Sequence, residues 1–262
     1  MRAMLYNIRV EIFLIDRTPV LPGGFMTLNN GLLEYLFPNG CKAIVLFASL
    51  FAVLLIAYLL GSINSAILFS KLIYKDDIRK HGSGNGGMTN MLRTFGGKAA
   101  LLTLAGDLGK TAVSIFVAGF VFGFRYYQGV SIMGYCYLAG LFAVLGHVFP
   151  LYYKFKGGKG VLVTSTMALI LTPAPFLVLF CIFALVYGVS KYISLGSVCV
   201  AVLYPVLLHG WFAVAFESAM DGLIALTAII IACLIVWCHR ENLRRITERT
   251  ERKTYLRKRK DD

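Results

Sequence analysis

Long apolar runs, separated by short polar segments rich in lysine and arginine, make up most of the chain. Each run approaches the roughly 20 apolar residues that cross a bilayer as a helix. The runs lie at about residues 43–73, 99–124, 131–150, 161–188, 195–215 and 221–238. Gly61 to Ser65 interrupt the first run and Thr172 to Pro175 interrupt the fourth, so we expect both to be broken rather than continuous helices.

Basic residues predict which segments face the cytoplasm, because cytoplasmic loops concentrate lysine and arginine. These residues cluster at 71–98, at 151–160 and from His239 to the C-terminus. Three apolar runs separate the last two clusters, yet a chain returns to the same side of a membrane only after an even number of crossings. The run 161–188 is therefore predicted to enter and return as two short helices. This count gives about seven helices, an external N-terminus and a cytoplasmic C-terminus.

The composition agrees with a membrane protein. Hydrophobic residues make up 58% of the chain and charged residues 15%, whereas soluble domains average about 45–50% apolar and about 25% charged residues. We therefore predict an all-α, polytopic membrane helical bundle of about seven transmembrane helices, with one pair short or re-entrant. The formal net charge of +13 favours membrane lipid with anionic headgroups, and anionic substrates. The six cysteines form no C-x-x-C pair, so neither a metal site nor a disulfide framework is expected.

The same pattern divides the chain into three parts. Residues 1–42 are expected to be an external or interfacial N-terminal extension, because Glu11 and Asp16 interrupt their short apolar stretch. Residues 43–240 form the membrane domain. Residues 241–262 form a basic cytoplasmic tail that is attracted to anionic lipid.

The first polar cluster runs from Asp77 to Arg93 and combines glycines with hydrogen-bond donors. Glycines allow backbone N–H groups to turn toward an oxyanion, and a helix that begins near Met88 would add a favourable dipole for phosphate. The side-chain donors are Ser83, Asn85, Thr89, Asn90 and Arg93. We interpret this cluster as an anion site.

The second cluster precedes the apolar run at 161–188. Small residues between two lysines at a helix entrance are typical of an anion nest. Its members are Lys156, Gly157, Gly158, Lys159 and Gly160. The G-x-x-x-x-G-K-[ST] spacing of an ATP-binding P-loop is absent here, and Leu104 breaks it at Gly106 to Thr111. ATP hydrolysis is therefore not predicted.

Two smaller clusters and one charged pair complete the candidates. Lys191 and Ser194 are donors in the loop after the broken run, and His239 and Asn242 lie three residues apart where the last run ends. His239 can exchange a proton near neutral pH. Asp107 and Lys110 lie inside the second run, either as a structural pair or with a role at the site. His147 is interpreted as a packing residue.

Taken together, the clusters resemble the PlsY family, the bacterial integral-membrane acyl-phosphate:glycerol-3-phosphate acyltransferases. The resemblance rests on four stretches in the family's order and spacing. They are Asp77–Lys110, Gly146–Val161, Lys191–Ser197 and His239–Asn242. The sequence departs from the family pattern at Gly86 and Met88, where isoleucine and alanine are usual, and at Asn64, where proline is common.

The resemblance implies transfer of a fatty acyl group from acyl phosphate to the sn-1 hydroxyl of glycerol 3-phosphate. The products are lysophosphatidic acid and phosphate, in the first step of phospholipid synthesis. The implied enzyme uses no coenzyme A, metal or other cofactor, binds no nucleic acid, and is expected to be a monomer in the bacterial inner membrane with its active-site loops on the cytoplasmic side.

Roles for individual residues follow from combining the resemblance with the residue chemistry. The segment Lys156–Gly160 would bind the phosphate of glycerol 3-phosphate, while Ser83 and Arg93, with Asn85 and Asn90, would contact the acyl-phosphate head. His239 and Asn242 would orient the acceptor hydroxyl, and either His239 or a substrate phosphate oxygen would accept its proton.

Three alternatives are disfavoured, and the weakest is a small structural membrane subunit, which gives no reason for four donor-rich loops. Acyltransferases of the H-x-x-x-x-D type are disfavoured, because no histidine of the chain has an aspartate five residues later. A membrane transporter of a phosphorylated metabolite would also need basic anion sites and broken helices. It would, however, place polar residues toward both faces, whereas the four clusters are predicted on one side.

Overall fold

The computed structural model describes residues 31–37, 43–123, 126–127, 130–131, 133–217 and 219–254, and these residues are almost entirely helical. Eleven α-helices occur in them. Their bounds are α1 Gly31–Leu36, α2 Ala43–Ser62, α3 Ser65–Ile73, α4 Met88–Phe95, α5 Gly97–Phe122, α6 Met133–Val148, α7 Val161–Leu171, α8 Pro173–Ser190, α9 Ile193–Ala215, α10 Gly222–Cys238 and α11 Arg240–Thr247. Short 3₁₀ turns lie at Ile78–Lys80 and Leu151–Tyr153, and a two-residue antiparallel ribbon pairs Tyr126–Tyr127 with Val130–Ser131.

The predicted membrane bundle is confirmed. Five segments are long and apolar enough to cross a membrane, namely α2, α5, α8, α9 and α6 with the turn that follows it. A sixth is α10 with α11, which bend by 51° where they meet at His239. The short apolar helix α7 brings the number to seven, as predicted, but only α7 of the predicted short pair is short, because α8 has 18 residues and is itself one of the five spans.

Both predicted helix breaks occur where the sequence places them. Helix α7 ends at Leu171 and α8 begins at Pro173, because proline has no backbone N–H to continue a helix and is favoured in a first turn. Helix α2 ends at Ser62 and α3 begins at Ser65. Asn64 caps α3, since its Oδ1 accepts the Ile67 N–H at 3.0 Å. Its Nδ2 donates to the Gly86 carbonyl at 3.1 Å and so ties the start of α3 to the glycine-rich loop.

Helix α6 is the centre of the bundle. In its most apolar stretch 67% of the residues are buried, compared with 11% in α2 and in α8, whose apolar side chains mostly face outward as lipid-exposed residues do. Helix α2 approaches α6 so closely that there is no room for a side chain at two glycines. A Cβ at Gly61 would lie 2.3 Å from the Ala143 carbonyl oxygen, and a Cβ at Gly146 would lie 2.3 Å from the Tyr58 carbonyl oxygen. Small residues at such crossings are typical of membrane helix packing.

Candidate active site

A cavity of about 760 Å³ collects most of the predicted site residues. Polar side chains line it where helices begin and end, and the lining residues within α5, α8 and α9 are mainly apolar. The predicted residues that line it are Ser83, Asn85, Thr89, Asn90, Arg93, Lys159, Gly160, Ser194, His239 and Asn242. The apolar wall includes Leu104, Leu108, Phe176, Leu179, Phe180 and Val200. The cavity therefore combines a charged, hydrogen-bonding part with an apolar part.

Four of the predicted residues do not line the cavity: Lys156, Gly157, Gly158 and Lys191. Lys156 is exposed. The N–H groups of Gly157 and Gly158 donate to the carbonyls of Val148 at 3.2 Å and His147 at 3.0 Å. These two amides, which the sequence predicted as anion donors, are already paired with the end of α6.

The structure holds the glycine-rich loop around Asn90, which is 3% exposed. Its Oδ1 accepts the Ser83 N–H at 3.1 Å, and its Nδ2 lies within 3.2 Å of the carbonyl oxygens of Ile78, His81 and Asn85. Helix α4 begins at Met88, as predicted, and carries both Asn90 and Arg93. Asn90 therefore shapes the loop, and Ser83, Asn85, Thr89 and Arg93 supply further polar groups to the cavity wall.

The chain after α11 folds back over the site. Arg93 donates to the Thr254 hydroxyl. The Thr254 N–H donates to the Lys191 carbonyl at 3.0 Å, and the Tyr187 hydroxyl donates to the Thr254 carbonyl at 2.9 Å. The first part of the segment predicted as a basic tail is thus joined to α4 and to the α8–α9 turn, because its backbone and side chains satisfy hydrogen-bonding groups there.

A hydrogen-bonded network centred on Glu251 connects the other polar segments. Glu251 Oε1 accepts from Asn242 Nδ2 at 2.7 Å and from Ser194 Oγ at 2.9 Å, and Oε2 accepts from Arg245 Nε at 2.8 Å. Asn242 Oδ1 in turn accepts from the Lys159 ammonium group. Burial favours the neutral acid, but these hydrogen bonds outweigh it and lower the pKa of Glu251 below its usual value, so the carboxylate is charged at neutral pH.

His239 stands at the bend between α10 and α11 and is 3% exposed. Its Nδ1 lies 2.8 Å from the Ile235 carbonyl oxygen. A carbonyl oxygen only accepts, so Nδ1 carries the proton and Nε2 of the neutral ring has a free lone pair. The histidine is held in the tautomer that a general base requires.

A buried ionic cluster lies beside the cavity. Asp107 and Lys110, placed three residues apart by α5, form an ion pair of 2.8 Å, and Lys110 Nζ lies 3.0 Å from His147 Nδ1. Asp107 and His147 also line the cavity. The two residues that the sequence singled out as a charged pair therefore join a histidine that the sequence assigned to packing.

Sequence reasoning missed four residues that help to build the site, namely Arg245, Glu251, Arg252 and Thr254. Arg245 and Arg252 line the cavity together with Glu251, and Thr254 contacts Arg93. The tail contains other glutamates, Glu241 and Glu248, which instead pair with Arg244 at its surface. No local pattern separates Glu251 from them, because its role depends on the turn of the chain after α11.

Comparisons with known proteins place this arrangement in a family. Residues 51–249 match the family model described as glycerol-3-phosphate acyltransferase. The protein of that name from Mycoplasmopsis agalactiae is 36% identical over an alignment that covers 79% of this chain and 95% of the relative. Its namesake from Coxiella burnetii is 38% identical, with 78% and 97% covered.

Solved structures agree with the sequence relatives. The crystal structure of PlsY, an integral membrane glycerol 3-phosphate acyltransferase, in its glycerol 3-phosphate form matches with a TM-score of 0.69 and 30% identity, over 79% of this chain and 96% of that one. Its lysophosphatidic acid form matches with a TM-score of 0.66 and 29% identity. The family that the motifs predicted is thereby confirmed: this chain is a membrane protein of the glycerol-3-phosphate acyltransferase family.

Proposed function

We propose that the protein transfers a fatty acyl group from acyl phosphate to the sn-1 hydroxyl of glycerol 3-phosphate, and so forms lysophosphatidic acid and phosphate at the start of phospholipid synthesis. The observation that carries the proposal is the single cavity that joins basic hydrogen-bonding groups to an apolar wall. Such a cavity suits an amphiphile with a phosphate head and a fatty chain. The related PlsY structures in glycerol 3-phosphate and lysophosphatidic acid forms support the same substrate class.

The charges around the cavity suit two phosphate groups. Asp107 is neutralised by Lys110, and Glu251 pairs with Arg245 at 2.8 Å. The lining cations Arg93, Lys159 and Arg252 form no ion pair with a carboxylate among the residues that the structure describes. Anionic groups are stabilised by cations that make no close ion pair of their own. The site therefore favours a donor and an acceptor that both carry phosphate.

In the proposed reaction, the acceptor hydroxyl attacks the acyl carbon and forms a new ester C–O bond. The C–O bond to the leaving phosphate breaks, and the hydroxyl proton passes to Nε2 of His239 or to a substrate phosphate oxygen. Ser83 and Arg93 contact the acyl-phosphate head, and Lys159 binds the phosphate of glycerol 3-phosphate. Asn242 bridges Lys159 and Glu251, so its role in this scheme is to position Lys159 rather than the hydroxyl.

We propose a bacterial inner membrane as the location, and the arrangement of the segments supports the sidedness that goes with it. Residues from all four polar clusters meet at one cavity, which requires them to lie on one side of the bundle. The positive-inside tendency assigns that side, with the active-site loops and the C-terminus, to the cytoplasm.

The proposal is tested with purified protein in lipid or detergent, supplied with glycerol 3-phosphate and either palmitoyl phosphate or palmitoyl-coenzyme A. We expect release of phosphate and formation of 1-acyl lysophosphatidic acid from palmitoyl phosphate only. Product from the coenzyme A ester alone would refute acyl phosphate as the donor. A 2-acyl product would refute the sn-1 hydroxyl as the acceptor. No product from either donor would contradict the proposed acyl transfer and favour the alternative function, transport of a phosphorylated metabolite.

A pH dependence follows from Lys159. Burial lowers the pKa of Lys159 to about 8, below its ordinary value near 10.5. Its ammonium group is therefore present below pH 8 and is lost as the pH rises through that value, so the KM for glycerol 3-phosphate should increase above about pH 8. Steady-state kinetics between pH 6.5 and pH 9.5, roughly the pKa with a margin on each side, would measure it. Lys159→Arg, which stays charged throughout, is the control and should flatten the profile. An equal rise in KM in that variant would mean that another group is responsible.

A further inference from the structure

The ammonium group of Lys110 has a complete set of acceptors. Its Nζ lies 2.8 Å from Asp107 Oδ1, 2.9 Å from the Ile63 carbonyl oxygen and 3.0 Å from His147 Nδ1. A lysine ammonium group has three N–H donors and cannot accept. The Nδ1 edge of the His147 ring therefore faces the ion pair, 3.0 Å from Lys110 Nζ and 3.6 Å from Asp107 Oδ1.

The other end of the same ring meets the loop between α6 and α7. A Cβ placed on Gly158 would lie 2.0 Å from His147 Nε2, and 2.8 and 2.9 Å from the two ring carbons beside it. These nearly equal distances mean that the ring points end-on at the glycine. Gly158 has no positive φ, and its three nearest atoms all belong to this ring. The His147 side chain is therefore what excludes a larger residue at this position.

The contact bears on the site because Lys159 follows Gly158 directly. Two backbone bonds, from Gly157 to Val148 and from Gly158 to His147, fix the loop to the end of α6. Lys159 then reaches into the cavity and donates to Asn242. A shift of Gly158 away from the His147 ring would move the lysine that the proposed function assigns to the acceptor phosphate.

We propose that His147, oriented by Lys110 and Asp107, is a positioning residue for Lys159, and that Gly158 is required by the His147 ring and not by an anion approaching its backbone. The part of this proposal that concerns substrate binding rests on the proposed function. Its steric part does not, because it concerns only how the loop packs on α6.

The test is a double-variant cycle of Gly158→Ala and His147→Asn. Asparagine retains an oxygen that can accept from Lys110 but lacks the far half of the ring, so it makes room for a Cβ at position 158. Overpacking is costly, and we expect Gly158→Ala to raise the KM for glycerol 3-phosphate at least about tenfold, with a smaller effect on the KM for acyl phosphate and on kcat. His147→Asn alone should raise it by a few-fold. The double variant should resemble His147→Asn instead of showing the product of both effects.

Gly157→Ala is the matched control. A Cβ there would lie 2.1 Å from the His147 backbone oxygen and 2.7 Å from Pro150 Cδ. His147→Asn removes neither atom, so it should not rescue Gly157→Ala. Rescue of both alanine variants to the same extent would overturn the proposal, because the effect would then not depend on the ring.

Thermal unfolding of the same variants separates the two parts of the proposal. The unfolding midpoint of Gly158→Ala should be recovered in the double variant, whether or not the protein proves to be an acyltransferase. If Gly158→Ala does not fold, recovery of folded protein in the double variant is the same result. Absence of any recovery would refute the steric contact. If the double variant recovers its stability but its KM for glycerol 3-phosphate stays high, the substrate anion itself requires Gly158. That result would refute the positioning role of His147.

Discussion

His239→Ala is expected to lower kcat by about 10²- to 10⁴-fold, the range typical for loss of a general base, with a much smaller change in the KM for glycerol 3-phosphate. The reason is the fixed tautomer. Because Nδ1 donates to the Ile235 carbonyl at 2.8 Å, the free lone pair is on Nε2 of a ring that lines the cavity. Steady-state assays with palmitoyl phosphate and glycerol 3-phosphate measure both constants.

Two further variants make this result specific. His239→Gln keeps a polar group of similar reach without a basic nitrogen, so its kcat should remain as low as that of the alanine variant if proton transfer is the role. His209→Ala alters an exposed histidine outside the cavity and should leave activity near that of the parent. Near-full activity of His239→Ala would exclude histidine base catalysis and assign the proton to a substrate phosphate oxygen.

The second large effect is expected from Asp107→Leu. Lys110 is 8% exposed and Asp107 is 1% exposed, and their ion pair also receives a hydrogen bond from Ser65 at 2.9 Å. Removal of the carboxylate leaves a buried ammonium group with two neutral acceptors but no counter-ion, and breaking a buried ion pair in this way typically costs about 3–5 kcal/mol. We therefore expect a large fall in the midpoint of thermal unfolding in detergent, and loss of activity with it.

Removal of both charges tests whether the cost comes from the unpaired lysine. Asp107→Leu combined with Lys110→Met should regain much of the stability, because replacement of a whole buried pair by apolar residues is often close to neutral. The double variant should still show a raised KM for glycerol 3-phosphate, since His147 has lost the group that orients it. Glu241→Gln, which breaks an exposed pair with Arg244, should change stability little. An Asp107→Leu variant as stable as the parent would contradict the argument.

The architecture could be predicted from the sequence. Apolar runs of bilayer length predict spanning helices because the bilayer interior leaves backbone groups no other way to pair. Prolines at 173 and 175 predict the break between α7 and α8 for an equally local reason, because proline has no backbone N–H to continue a helix. The parity of basic loops then predicted two helices instead of one in the run at 161–188. The donors of the first cluster could also be recognised, since glycines and polar side chains were adjacent in the chain.

Which polar groups form the site, and what each of them does, depends on how the helices pack. The sequence predicts Gly157 and Gly158 as anion donors, but their N–H groups are paired with carbonyls of α6. The sequence predicts Glu251 and Thr254 as part of the basic cytoplasmic tail. The turn after α11 instead brings Glu251 to Ser194 and Thr254 to Arg93.

His147 shows the same division within one residue. Its place in an apolar run predicted that it is buried, while its contacts with Lys110 and Gly158 depend on how α5, α6 and the following loop pack. The physical reason is that the local pattern of apolar and polar residues predicts only which residues are buried and which backbone conformation they adopt. Whether a donor is free or already satisfied depends on groups that the fold brings from distant parts of the chain.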